Sequence, residues 1–287
     1  MAKGRELKGR IKTVENTRKI TRTMEMVATS KMKRAQDRVV AARPYAQALT
    51  DVIANLYSPE LAERFPLLRQ PASIRRAAVL LLTSNRGLAG AFNANLIKEA
   101  RSLITRLEND GTAVDVHVAG KKGLGFFRYV GRTVASSRTD LGDRPTAENA
   151  AELIDAVMAD FAEGKLDAVY VVHASFRSVI ATPPTTTQVL PVTPPKAGAM
   201  QRDYLLSPDP ETILATLLPS YVRNVVYRAL VETAAAEHAA RRTAMKNATD
   251  NANDMLNILR RTYNRARQAH ITQEIAEIVG GAAALQG

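Results

Sequence analysis

Two glycine-bearing loops are the parts of this sequence whose residue types most suggest a binding site for phosphate. Residues 84–90 and 120–125 each follow a short apolar run, and such loops can hold phosphate at the start of a helix. Neither loop has the form G-x-x-x-x-G-K-[ST], because no serine or threonine follows the lysine to hold Mg²⁺. Neither has the spacing G-x-G-x-x-G followed by a strand-end acidic residue. The second loop could hold an anion at a helix N terminus, but we expect a structural turn.

Other residue types that carry catalysis are scattered or absent. The chain has no cysteine, which excludes disulfides, thiolate metal sites and cysteine nucleophiles. No serine or threonine lies in a nucleophile elbow, and no pair of acidic residues stands out for acid–base work. We therefore expect no catalytic residue, no cofactor and no metal site, so that the chain is not itself an enzyme. The histidines are far apart in the sequence: His117, His173, His238 and His270.

The middle of the chain alternates between strand patterns and helix patterns. Short apolar runs predict buried strands, and Thr146 is a plausible N-cap for one of the helices between them. A last alternating segment predicts a strand that pairs antiparallel at an edge. This order predicts a doubly wound, mostly parallel α/β domain with helices on both faces. The predicted strands are 78–83, 114–119, 134–138, 167–174 and 185–192.

The C-terminal part of the chain predicts a helix of unusual length. Residues 220–279 contain neither glycine nor proline, whereas most globular helices run three or four turns. Small and apolar residues recur there at spacings of three and four, and a second helix must cover such a seam. The seam residues are Val222, Val226, Ala229, Thr233, Ala236, Ala240, Ala244, Ala248, Asn251, Met255, Ile258, Thr262, Ala266 and Ala269.

The N-terminal part of the chain supplies the partner for that helix. Small or apolar residues recur there on a heptad frame, which predicts an antiparallel coiled coil between the two ends of the chain. The frame is Leu7, Ile11, Val14, Arg18, Thr21, Glu25, Ala28, Met32, Ala35, Val39, Ala42, Ala46, Leu49, Ile53 and Leu56.

The expected domains follow from these patterns. Residues 1–58 form the N-terminal coiled-coil helix, 72–195 the central α/β domain and 209–287 the C-terminal coiled-coil helix. Pro44 and Pro219 are expected to kink the helices or loosen the pair, because proline lacks an N–H group and crowds the preceding turn.

The heptad frame is broken by two charged residues, Arg18 and Glu25. Around these breaks Ile20, Met24 and Val27 rotate off the seam and are expected to face outward. An exposed apolar strip usually marks a partner surface. A local underwinding without functional consequence is the alternative.

Positive charge is concentrated in the two predicted helices. The chain has a net charge of +12, and residues 1–43 hold 13 Lys and Arg against 4 Asp and Glu. Such a basic segment indicates an acidic protein surface, nucleic acid or anionic lipid as a partner, or only a solvated face. We favour an acidic protein partner because aromatic residues, which usually accompany nucleic-acid binding, are scarce. A non-catalytic basic coiled-coil adaptor that binds nucleic acid is the alternative.

Several segments carry a resemblance to a known family. They are ITRTMEMVATSKM at 20–32, TDNAN at 249–253, YNRARQAHITQEI at 263–275 and GGAAAL at 280–285. The loops TSNRGLAG at 83–90 and GKKG at 120–123 support them. With these motifs the chain resembles, from end to end, the gamma subunits of bacterial F-type rotary ATP synthases.

The resemblance implies a mechanical function. In that family the coiled coil is a central shaft inside a hexamer of alpha and beta subunits, and the α/β domain lies against the epsilon subunit and the ring of c subunits. Proton flow turns the ring, and the shaft drives the catalytic beta subunits through their conformations. Membrane insertion and nucleic-acid binding are not expected.

The resemblance also implies a set of contact residues. By position, Met24, Arg267, Gln268 and Thr272 match residues near the beta subunits. The apolar tip that would turn in the collar of the hexamer comprises Ile278, Val279, Ala282, Ala283, Ala284 and Leu285.

Two further features concern regulation and location. The photosynthetic members of the family carry an insert with two cysteines, and this chain has none, which excludes dithiol control.

The first residues lead into a charged helical pattern without the apolar region of a secretory signal. We therefore expect a peripheral protein on the cytoplasmic face of a bacterial cell membrane.

Overall fold

The computed structural model describes residues 2–56, 64–193 and 209–286, with side chains from residue 4 to residue 282 within those ranges. The predicted domain limits at 58 and 195 lie outside the described residues. The chain forms two compact units. One comprises Met1–Val27 with Arg242–Gly287, and the other comprises Ala28–Arg241.

Two long helices begin and end the chain, as the resemblance and the residue patterns predict. Helix α1 has 55 residues and helix α5 has 77. Pro44 lies inside α1 and Pro219 inside α5, and both helices continue past these prolines. The elements in order are α1 (Ala2–Leu56), β1 (Arg76–Leu82), α2 (Phe92–Asn109), β2 (Ala113–Ala119), α3 (Lys121–Tyr129), β3 (Ser136–Arg138), α4 (Ala147–Ala162), β4 (Ala168–Ala174), β5 (Pro184–Leu190) and α5 (Pro210–Gln286).

The strands of the described residues form one five-stranded sheet in the order β3-β2-β1-β4-β5. Strand β1 is central, and Val79 pairs with Val116 of β2 and with Tyr170 of β4, both in parallel. Strand β3 adds to β2 in parallel, whereas β5 pairs antiparallel with β4 at the edge. The mostly parallel sheet and its antiparallel edge strand are therefore confirmed.

Helices cover both faces of the sheet, which explains why β1 is a continuous apolar run rather than an alternating one. Ala77, Val79 and Leu81 join the buried cluster under α2 and α3. Ala78, Leu80 and Leu82 join the cluster under α4 and the first turns of α5. Helix α4 begins at the predicted cap: the Thr146 hydroxyl accepts from the Asn149 N–H, and the Asn149 side chain accepts in return from the Thr146 N–H.

Within the Ala28–Arg241 unit, α1 follows the predicted heptad frame. Its frame residues are buried there, apart from the half-buried Ala42. A single face of the helix is covered, so the sequence pattern and the contacts agree. The buried residues are Ala28, Met32, Ala35, Val39, Ala46, Leu49, Ile53 and Leu56.

The seam predicted for α5 describes only part of its contact with α1 in this unit. Val222 and Val226 lie in the cluster that also contains Ile53 and Leu56 of α1, whereas Ala236 lies in the cluster on the opposite face of the sheet. The residues that pack with Met32, Ala35 and Val39 of α1 are instead Val231, Ala235 and Ala239. Helix α5 is buried here on more than one side, and periodicity alone does not tell which side meets α1.

Gly120 tests how tightly α3 packs against the end of β1. A Cβ at this position would lie 2.2 Å from the carbonyl oxygen of Thr83, and the backbone φ is +105°. We expect Gly120→Ala to lower the free energy of unfolding by about 3 kcal/mol, because both the contact and the backbone would be strained. Urea denaturation of the purified chain measures it. Gly125→Ala in α3 is the matched control, since its Cβ would meet nothing within 4 Å. Equal urea midpoints for the two variants would contradict the close packing of Gly120 against Thr83.

Candidate interface on the paired helices

The unit of Met1–Val27 and Arg242–Gly287 contains a pair of helical segments, one from α1 and one from α5. On α5 the buried residues are Met245, Thr249, Ala252 and Leu256, followed by half-buried Leu259, Tyr263 and Ala266. The predicted seam is wrong by one position from Asn251 to Thr262, because Asn251, Met255, Ile258 and Thr262 are exposed, whereas Ala266 is half-buried as predicted. Apolar residues occupy neighbouring positions at 255–256 and 258–259, so two helical phases fit the sequence equally well.

The polar residues within the seam contact one another across the pair. The hydroxyl oxygens of Thr21 and Thr249 lie 2.8 Å apart and are buried. Arg18 donates to the side-chain oxygen of Asn253 at 3.2 Å. The break in the heptad at Arg18 is therefore a polar layer with its own partner, in the way that buried polar residues specify the register of coiled coils.

The contacts also give the direction of the pair. Arg260 forms an ion pair with Glu15 at 2.6 Å, so the α5 residue number falls from 260 to 253 to 249 as the α1 number rises from 15 to 18 to 21. The two segments are antiparallel, as predicted. By this register the first turn of α1 lies opposite the region near residue 270. The α5 residues beyond it extend past the start of α1, and every side chain described from Ile271 to Ala282 is exposed.

The predicted contact residues on α1 form an exposed strip beside the polar layer. Ile20 is 60% exposed and Val27 is 49% exposed, as predicted. Met24 lies between them and is half-buried. A strip of this kind offers an apolar surface to a partner.

The predicted contact residues on α5 lie elsewhere along the pair. Arg267, Gln268 and Thr272 are exposed, and the Thr272 hydroxyl donates to the Gln268 carbonyl at 3.0 Å. Arg267 is 18 residues beyond Thr249, which is about 27 Å along a helix. Because Met24 lies one turn from the Thr21–Thr249 contact, the structure does not bring Met24 and Arg267 together.

The tip of α5 presents exposed apolar side chains. Ile278 is 71% exposed and Val279 is 62% exposed, and Ala282 is exposed as well. The side chains of Ala283, Ala284 and Leu285 lie outside the described residues. Ile271 and Ile275 belong to the same exposed stripe. Sequence reasoning missed them, although their spacing of four residues could have indicated them.

The glycine-bearing loops of the α/β domain do not form an anion site. The N–H of Lys121 donates to the side-chain oxygen of Asn85, and the N–H of Lys122 donates to the Ser84 carbonyl. The N–H of Gly123 donates to the Thr83 hydroxyl. The donors that an anion would need at the start of α3 are therefore used by the first loop. The expected structural turn is confirmed.

The crevice at the carboxyl ends of the strands, where doubly wound domains bind ligands, is crossed by α5. The Thr233 hydroxyl accepts from the N–H of Ala174 at the end of β4, and Arg241 donates to the carbonyl of Gly87 after β1. A cavity of about 340 Å³ remains between α5 and the loops, bordered by Asn85 and Asp143. The chain's own helix thus occupies the part of the sheet edge where the strand order reverses.

The histidines of the Ala28–Arg241 unit lie on different elements: His117 on β2, His173 on β4 and His238 on α5. Among residues 2–56, 64–193 and 209–286, no group of three or more metal-ligating side chains occurs. Burial lowers the pKa of His173, whose Nε2 lies 3.1 Å from the Thr187 hydroxyl, and burial likewise lowers the pKa of His117. Over the same described ranges, no helix is long and apolar enough to cross a bilayer.

Comparison with solved structures shows the same fold. The chain aligns with a chain of the Euglena gracilis mitochondrial ATP synthase (OSCP/F1/c-ring) with a TM-score of 0.72 and 20% identity, over 99% of this chain and 95% of that one. It aligns with a chain of the Tetrahymena thermophila mitochondrial ATP synthase central stalk and c-ring with a TM-score of 0.63 and 24% identity, over 80% of this chain and 99% of that one.

Comparison with known sequences shows the family. A family model described as ATP synthase matches residues 3–285. The ATP synthase gamma chain of Gemmatimonas aurantiaca is 65% identical over the full length of both chains. That of Leptospira biflexa is 43% identical over 99% of this chain and 100% of its own. The chain therefore belongs to the gamma-chain family of the ATP synthases.

Proposed function

We propose that this chain is the central rotor shaft of a proton-translocating ATP synthase, a non-catalytic subunit. It couples rotation of the c ring to conformational cycling of the catalytic beta subunits, in synthesis or in hydrolysis. The observation that carries the proposal is full-length identity of 65% to a bacterial gamma chain, combined with an antiparallel pair of long helices at the chain ends. None of the relatives described above is named as a nucleic-acid-binding protein, and nothing favours that alternative.

The helix pair has the properties that a shaft needs. Its seam contains small residues such as Ala252 and Thr249, so that the two helices pack closely. Its surface is basic and partly apolar, which suits acidic partner loops around it. A shaft with different contacts in each orientation biases the conformations of the surrounding subunits, and it needs no nucleotide site of its own to do so.

The partner contacts are proposed residue by residue. Met24 on α1, and Arg267, Gln268 and Thr272 on α5, contact the beta subunits at two different heights along the helix pair. The apolar tip from Ile278 to the end of the helix turns in the collar of the hexamer formed by alpha and beta. Residues 278–285 contain no charged group. No rotational angle of the shaft within the collar therefore becomes a deep energy minimum.

The remaining partners lie at the α/β domain, proposed as residues 72–195. The epsilon subunit and the c ring bind there, which places the chain peripherally on the cytoplasmic face of a bacterial cell membrane. The helices proposed as 1–58 and 209–287 reach into the hexamer.

Reconstitution tests the proposed function. Adding this chain to purified alpha and beta subunits is expected to produce cooperative ATPase activity, since an asymmetric shaft makes the three catalytic sites unequal. A bead attached to the α/β domain is expected to rotate during hydrolysis. No gain in activity would overturn the proposal. Salt-sensitive binding to duplex DNA without assembly with alpha and beta would favour the nucleic-acid adaptor.

The proposed role of Arg267 is tested by Arg267→Ala in the assembled complex. A hydrogen bond to a charged group contributes about 1.5–3 kcal/mol, so we expect the steady-state ATPase rate to fall by roughly tenfold. Arg265→Ala is the matched control, because Arg265 is exposed on the same helix and points about 200° away around its axis. Equal rates in both variants would show that Arg267 makes no contact that matters for turnover.

The proposed role of the tip is tested by removing residues 278–287. We expect a bead on the α/β domain to keep rotating with reduced torque, because the tip guides the shaft while the contacts near Met24 and Arg267 remain. Single-molecule rotation under a viscous load measures the torque. If rotation stops completely in complexes that assemble normally, a low-friction bearing is the wrong description of the tip.

A further inference from the structure

Five charged or titratable side chains meet where α1 and α5 pass the loops that follow β1 and β3. They are Lys31, Asp143, Glu237, His238 and Arg241, and we call them the anchor cluster. All belong to the Ala28–Arg241 unit, and Arg241 is its last residue.

Arg241 is the centre of the anchor cluster. Its side chain is only 10% exposed, and it donates to Glu237 at 2.6 Å and to the Gly87 carbonyl at 3.2 Å. Glu237 lies one turn earlier on α5, whereas Gly87 belongs to the loop after β1. The planar guanidinium thus joins the helix to the strand-end loop in a fixed direction.

His238 and the second ion pair complete the cluster. The Nδ1 of His238 lies 3.3 Å from a guanidinium nitrogen of Arg241, and because arginine only donates, this Nδ1 accepts. The ring is therefore neutral, in agreement with burial that lowers the pKa of His238 to about 4. On the α1 side, Lys31 forms an ion pair at 2.5 Å with Asp143 in the loop between β3 and α4.

Both long helices are thus tied to the α/β domain by directional contacts at one place. The apolar clusters around them contribute most of the burial, but hydrophobic contact is non-directional and permits small rotations of a helix. A buried ion pair is a poor source of net stability because its desolvation cost offsets the Coulomb attraction. Its value in this location is geometric.

We propose that the anchor cluster fixes the rotational angle of the two helices relative to the α/β domain, so that torque passes between them without slip. The inference rests on the proposed rotor function and assigns Arg241, Glu237, Lys31 and Asp143 as positioning residues. In other doubly wound domains this crevice binds a ligand, whereas here it binds α5 of the same chain.

The test uses the complete ATP synthase in vesicles, with ATP hydrolysis and ATP-driven proton pumping measured on the same sample. We expect Arg241→Met to retain assembly and hydrolysis but to lose proton pumping per ATP hydrolysed. The neighbouring Arg242→Met, which lies outside the anchor cluster, is the matched control and is expected to pump like the unmodified complex.

A second variant separates positioning from folding. Arg241→Met leaves Glu237 buried without its partner, which can destabilise the chain by itself. The double variant Glu237→Met with Arg241→Met removes both charges, so its thermal midpoint should return towards that of the unmodified chain while its pumping per ATP remains low. Arg241→Lys retains the charge but cannot reach Glu237 and Gly87 together. Its proton pumping per ATP hydrolysed is expected to lie between those of the unmodified complex and Arg241→Met.

The outcomes are distinguishable. If the double variant recovers both stability and the full ratio of pumping to hydrolysis, the cluster has only a structural role and the inference is overturned. If the unmodified chain fails to support coupled pumping, the proposed rotor function fails instead.

Discussion

Covering the narrow seams of two long helices is the constraint on which the rest of the structure depends. A helix that buries only one stripe gains too little to be stable alone, so each helix needs a partner along most of its length. The α/β domain and α1 cover α5 in one unit, and α1 covers it in the other. The basic, partly apolar outer surface follows, because both helices keep their remaining faces for solvent or for other chains.

The polar layer at Arg18 and Thr21 shows how the seam is aligned. An all-apolar seam can shift by one heptad at little cost, whereas a buried hydroxyl pair and an Arg–Asn contact are satisfied in one register only. Sequence patterns located the break at Arg18, but they could not name Asn253 as its partner, which lies 235 positions away. Its meaning depends on the antiparallel register, and only the structure provides that.

How much could be predicted depended on how many sides of an element are covered. Helix α1 is covered on one side, and its heptad frame holds from Leu7 to Leu56. Strand β1 is covered on both sides, and its apolar run was recognisable within two residues of its true limits. For α5 the same reasoning is insufficient in two places. Val222 and Val231 are both buried, but against different neighbours. Met255 and Leu256 are adjacent apolar residues, and only Leu256 is buried in the seam.

The glycine-bearing loops illustrate why a fold does not determine a function. Their strand–loop–helix context is the one in which many α/β proteins bind phosphate. Here, however, Thr83, Ser84 and Asn85 accept hydrogen bonds from the backbone N–H groups at the start of α3. The neighbouring strand ends at the reversal of strand order accept α5 instead of a ligand. A site specialised for holding small molecules by directed hydrogen bonds is equally suited to holding a helix at a fixed angle. In this chain the edge of the sheet therefore holds the chain's own helix at the position where other doubly wound domains hold a ligand.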